Sequence, residues 1–88
     1  MKYEIKEQFK KDYLNLKDKH LAKVILNTIT HISESENIKS IKNLKKLKNC
    51  DNAYRIRAGN YRIGVFIEDN IVVFTAFAHR KDIYKQFP

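Results

Sequence analysis

The apolar positions change period along the chain. Tyr3 and Ile5 alternate with polar residues and predict a short first strand within residues 3 to 9, and Phe9, Tyr13 and Leu16 then recur at helical spacing. Asp18 is placed to cap a second helix. In it Leu21, Val24, Ile25, Thr28, Ile29 and Ile32 fall on one stripe, leaving Lys19, Lys23 and Asn27 for the outer face. The stripe stops at Ser33, so residues 33 to 37 read as the helix exit.

From Ile38 to Lys48 an apolar residue stands at every third position, Ile41, Leu44 and Leu47 among them. That spacing drifts around a helix of 3.6 residues per turn and predicts a short helical turn followed by an irregular connection. Asn49, Cys50, Asp51 and Asn52 form a turn signal. Beyond Ala53 the period becomes two, and three strands are expected at residues 54 to 58, 61 to 68 and 71 to 78. Gly59-Asn60 and Asp69-Asn70 separate them as tight hairpin turns. The tail, residues 81 to 87, has room for one last helical turn. The expected fold is therefore α+β, one domain over residues 1 to 88. An N-terminal strand and a two-helix hairpin pack on one face of an antiparallel sheet that ends in a three-stranded meander.

Parity along these strands sorts the charges. Tyr54, Ile56 and Ala58 point one way, so Arg55 and Arg57 share the opposite face. Likewise Tyr61, Ile63, Val65 and Ile67 leave Arg62 on the other side with Gly64 and Phe66. If the helices cover the Ile56/Ile63 face, three guanidiniums converge on the bare face. Gly64 would then leave space there for a substrate to approach the sheet.

Composition narrows the partner. Eighteen Lys plus Arg oppose ten Asp plus Glu, a formal charge of +8 on 88 residues, which points to a polyanion. No apolar run approaches the ~20 residues of a membrane span. The first residues lack the apolar core of a signal peptide, so a cytoplasmic location is expected and a membrane partner is not. Cys50 is the single cysteine, which excludes an internal disulfide or a thiolate metal centre and suits a half-buried filler beside a turn. His20 and His31 are spaced without ligand partners and read as surface residues. No metal or organic cofactor is implied.

Four stretches taken together, Leu44-Lys45-Lys46-Leu47, Tyr54-Arg55-Ile56-Arg57, Gly59-Asn60-Tyr61-Arg62-Ile63 and His79-Arg80-Lys81-Asp82-Ile83-Tyr84, resemble toxins of the RelE/ParE superfamily of toxin-antitoxin modules. The similarity runs over nearly the whole length. RelE-like members cut mRNA in the ribosomal decoding site, whereas ParE-like members inhibit DNA gyrase without cleavage. The resemblance implies a ribonuclease site at Arg55, Arg57, Arg62, His79, Arg80 and Tyr84. Lys45, Lys46, Lys48, Lys81 and Phe87 are the further RNA contacts expected. It also implies a cognate antitoxin, the ribosome and mRNA as partners. Arginines replace the lysines of the RelE type on the second strand, the C-terminal segment is shorter, and no carboxylate base stands out.

Attack of an RNA 2′-OH on the adjacent phosphate needs a base, charge stabilisation and an acid for the leaving 5′-oxygen. Arginine meets the second need only. His79 is expected to move the proton, since an imidazole ordinarily titrates near pH ~6.5; Tyr84 is the substitute. Each residue also has a structural reading. Arg55 and Arg57 could be solvated, His79 a strand cap, Arg80 a partner of Asp82, and Tyr84 packed with Ile83 and Phe87. The lysines could be a solvated face. The alternatives for the whole chain are a gyrase-inhibiting interaction protein and a basic RNA-binding module without cleavage.

Overall fold

The computed structural model describes residues 1–48 and 50–88. In chain order the elements are β1 (Lys2–Ile5), α1 (Glu7–Leu14), α2 (Lys19–Glu34), a 3-10 turn (Ile38–Ser40), β2 (Leu44–Lys46), β3 (Ala53–Ala58), β4 (Tyr61–Glu68), β5 (Ile71–His79) and α3 (Ile83–Gln86). The five strands form one sheet in the order β1-β5-β4-β3-β2. Every pairing is antiparallel except β1 with β5, so the sheet is mixed.

The stripe on α2 sets the main core. Asp18 caps the helix, accepting the Leu21 N–H at 3.1 Å. Leu21, Ile25, Ile29 and Ile32 are buried against Phe9 of α1 and against Ile56, Ala58, Ile63, Val65, Val72 and Phe74 of the sheet. Burying such side chains contributes about 1.5–3 kcal/mol each. The hairpins close as expected: Gly59 alone has positive φ in the first, at 61°, and Asp69 and Asn70 have φ of 53° and 63° in the second. Paired positive values are what a two-residue turn of type I′ requires.

Three features depart from the sequence reading. After the expected helical turn, Leu44, Lys45 and Lys46 leave the irregular connection to pair with Ile56, Arg55 and Tyr54 as an edge strand. Three residues carry too little pattern to reveal this, and the pairing with β3 supplies the order. Second, the helices do not all lie on one face. The final turn α3 packs against β4 and β5 on the opposite side, where Ala53, Ala78, Ile83 and Phe87 form a second, smaller buried cluster. Third, His31 is half-buried, and its Nε2 accepts the Lys42 N–H at 3.1 Å, pinning the connection after α2. Of the expected turn at residues 49 to 52, Asp51 and Asn52 are in a turn and Asn49 lies outside the described residues. Cys50 is half-buried beside the second cluster.

A bulge interrupts β5 and resets which side chains share a face. Gly64 and Val65 are consecutive on β4 but face Ala76 and Phe74, so Thr75 is an extra residue on β5. The faces exchange there. Phe74 before the bulge and Phe77 after it both reach Phe9, at 5.7 and 5.1 Å between ring centres.

Removing the α2 cap is expected to destabilise the fold without touching the far face of the sheet. Asp18→Ala should lose about 0.5–2 kcal/mol, read as a fall of about 2–16 °C in Tm by circular dichroism. A melting curve matching that of the wild type would show that the cap contributes nothing.

Candidate functional site

Register places the arginines as parity required. Arg57 lies directly opposite Arg62, and Arg55 opposite Gly64, on the face turned away from α1 and α2. β2 adds Lys45 to that face as the partner of Arg55. The Arg55 guanidinium donates to the Asn43 carbonyl at 3.2 Å, and one Arg62 nitrogen donates to the Gly59 and Tyr61 carbonyls, both at 2.9 Å. These contacts fix the two side chains and leave other guanidinium donors free. Arg80 comes just after β5, its N–H bonded to the Asn60 carbonyl at 2.8 Å, which carries it beside the same hairpin.

These groups lie close enough to act on one another's charge. Loss of water contact, and then the like charges of Arg55, Arg57 and Arg80, push Arg62 below its ordinary value, while Tyr84 acts in the opposite direction. Among the described residues one ion pair falls within 4 Å, Lys85 of α3 with Asp82 just before it at 3.7 Å, both exposed. It involves none of the arginines, so no carboxylate among those residues relieves the repulsion. A cluster of guanidiniums on a rigid sheet is built for an anion, because each offers planar paired donors to phosphate oxygens.

The remaining predicted residues divide. Tyr84 stands on α3 with 60% of its surface exposed and lines an open groove of about 590 Å³ with Lys45, Lys46, Leu47, Lys48, Phe87 and Pro88. His79 does not join the arginines. It pairs with Tyr61, which packs with the main core, and its ring meets the Tyr61 ring edge-on at 5.6 Å. Its Nδ1 accepts the Lys81 N–H at 3.2 Å. The Thr75 bulge is the cause, since one extra residue sends every later side chain of β5 to the other face. Lys81 is exposed in the turn after β5. Phe87 is only 2% exposed, its ring lying on Gly64, so the space expected at that glycine is filled.

What the sequence reading missed is the support beneath Tyr84: Ala53, Ala76 and Ala78 as a small-residue floor, with Ile83 and Phe87 seated on it. The spacing of Ile83 and Phe87, one helical turn apart, was the available signal.

No protein-family model matches the chain. Over 37 residues, 42% of this chain and 42% of the relative, it is 51% identical to Toxin RelE3 of Methanocaldococcus jannaschii, so the match spans under half of that curated protein. A chain of the RelB-RelE antitoxin-toxin complex from Methanococcus jannaschii matches far more of it, at 35% identity and a TM-score of 0.76, covering 97% of this chain and 99% of the other. The chain belongs to the RelE toxin family. The RelE-RelB complex of Pyrococcus horikoshii OT3 (TM-score 0.70, 19% identity, 90% and 93% covered) and the RelBE complex of E. coli (0.66, 20%, 89% and 94%) share the fold.

For this RelE-family site, affinity for single-stranded RNA is expected to fall with salt. Arg57→Ala and Arg80→Ala, both at exposed positions, should each weaken binding and flatten the log–log salt dependence by about 0.7. Fluorescence anisotropy across a salt series would read this; unchanged slopes would exclude phosphate contact by either arginine.

Proposed function

We propose that this chain is a toxin ribonuclease that cuts mRNA on the ribosome and is held inactive by an acidic cognate antitoxin. One observation carries the reading: four guanidiniums, with no carboxylate partner among the described residues, converge on one sheet face beside an exposed tyrosine. In the reaction the 2′-oxygen attacks the adjacent phosphorus. The O2′–P bond forms as P–O5′ breaks, leaving a 2′,3′-cyclic phosphate and a 5′-hydroxyl. Arg55, Arg57, Arg62 and Arg80 stabilise the charge that develops on the phosphate oxygens. Tyr84 takes the proton-transfer role through its hydroxyl, or stacks on a base, in this reading. Lys45, Lys46 and Lys48 continue the cationic track along the groove. His79, on the other side of the sheet, is left to cap β5.

The antitoxin reading draws on a second surface. Between β1, α1 and α2, Tyr3, Ile5, Phe9, Tyr13, Leu26 and Ile29 line an apolar cleft of about 160 Å³, and Tyr3, Ile5 and Leu26 are exposed. β1 also forms the edge of the sheet. An extended or helical antitoxin segment would cover this surface while its acidic residues meet the arginine face.

In a translating extract the protein should give mRNA fragments cut within the reading frame, with ribosomes required. Arg62→Ala should lose about 2–4 kcal/mol of transition-state stabilisation, a fall of about 30- to 10³-fold in single-turnover rate. Tyr84→Phe should slow cleavage about 10²-fold, and His79→Ala should stay within about threefold of wild type. A large loss in His79→Ala would return proton transfer to the histidine. Intact mRNA together with inhibited gyrase supercoiling would replace ribonuclease by gyrase inhibitor.

A further inference from the structure

Gly64 sits in the middle of β4 without a positive φ, paired with Arg55 and Ala76. Glycine weakens a strand interior, since it gives up packing and costs more entropy to order than any other residue. Backbone conformation does not demand it here. The neighbour does: a Cβ built at Gly64 would lie 2.5 Å from both Cγ and Cδ2 of Phe87 and 2.9 Å from Cδ1. The ring therefore lies flat on bare backbone. Any side chain at residue 64 must displace it.

That contact decides where α3 stands. Four residues are too few to hold a helix in water, so α3 depends on tertiary anchors. Ile83 and Phe87 supply them, at 0% and 2% exposure, joined by the Phe87 N–H to the Ile83 carbonyl at 2.9 Å. Ala53 and Ala78 form the floor, and Phe66 flanks the Phe87 ring at 4.9 Å between centres. Tyr84 lies between the anchors and faces outward, close enough to Arg62 to act on its charge. We propose that Gly64 and Phe87 form a latch whose role is to set Tyr84 against the arginine cluster, Phe87 being a positioning residue for the reaction. The latch rests on the ribonuclease reading. Phe9, Ile25 and Ile63 lie in the separate core on the other face, so the latch bears on the site more than on the fold.

The test is single-turnover mRNA cleavage on programmed ribosomes by the full chain, with Gly64→Ala, Phe87→Ala, their double variant, Tyr84→Ala and Phe87→Ala/Tyr84→Ala. Gly64→Ala and Phe87→Ala should each lower the rate at saturating ribosomes by at least about tenfold, with ribosome affinity changed by less than about threefold. The glycine and phenylalanine changes should not add, because both remove one contact; nor should Phe87→Ala worsen Tyr84→Ala. Amide exchange at Lys85 and Phe87 should speed up in Gly64→Ala while that of β4 stays unchanged. Full cleavage by Gly64→Ala, or independent losses at Phe87 and Tyr84, overturns the latch and leaves the ribonuclease reading standing. A wild-type protein that leaves mRNA intact, with Arg62→Ala no different from it, overturns both.

Discussion

Everything in this fold depends on alternation across the paired strands β3 and β4. A strand must send successive side chains to opposite faces, so the register that buries Ile56, Ile63 and Val65 beneath α2 also gathers Arg55, Arg57 and Arg62 on the reverse. Stability and charge concentration come from one pairing. A slip of a single residue would drive the guanidiniums into the core and expose the aliphatic residues. The desolvation penalty for buried charge makes that slip prohibitive. The arginine cluster is thus enforced by the core on the other side, which is how like charges can be held close to one another.

Holding those charges together opposes folding, at Arg62 first through loss of water contact and then through the like charges of Arg55, Arg57 and Arg80. The sheet tolerates it because Arg55 and Arg62 donate to fixed carbonyls at Asn43, Gly59 and Tyr61 while Arg57 and Arg80 stay exposed. Rigidity has a consequence for binding. Donors already held on strands lose little freedom when a phosphate arrives, so more of the interaction is available to the developing charge of a transition state. In the proposed reading an acidic antitoxin and an RNA backbone relieve the same repulsion, and each excludes the other by charge alone.

Much of this was legible in the sequence, for reasons that differ by element. The α2 stripe and its Asp18 cap are local patterns, and both hairpin turns carry residues suited to positive φ. The three arginines of β3 and β4 came from parity. The failures share a cause in tertiary context. β2 is three residues long and is a strand because β3 offers it a ladder. The Thr75 bulge leaves no mark in an apolar run such as Ile71–Ala78, yet it moves His79 from the arginine face to the side of Tyr61. Adjacency in the chain placed a histidine beside an arginine; the extra residue on β5 separates them.

Gly64 is the most telling misreading. An empty position on a charged face reads as room for substrate, and that inference is sound only if the rest of the chain leaves the space open. Here residues beyond β5 return to occupy it, and the vacancy becomes a seat for Phe87. The charged face is therefore partly roofed. Ala78 of the second apolar cluster pairs with Arg62, and Phe87 shares a groove with Lys45, so apolar side chains stand on one flank of the cations. Attraction between a phosphate and an arginine grows as water is excluded, so the small second core strengthens the electrostatics of the face that it roofs.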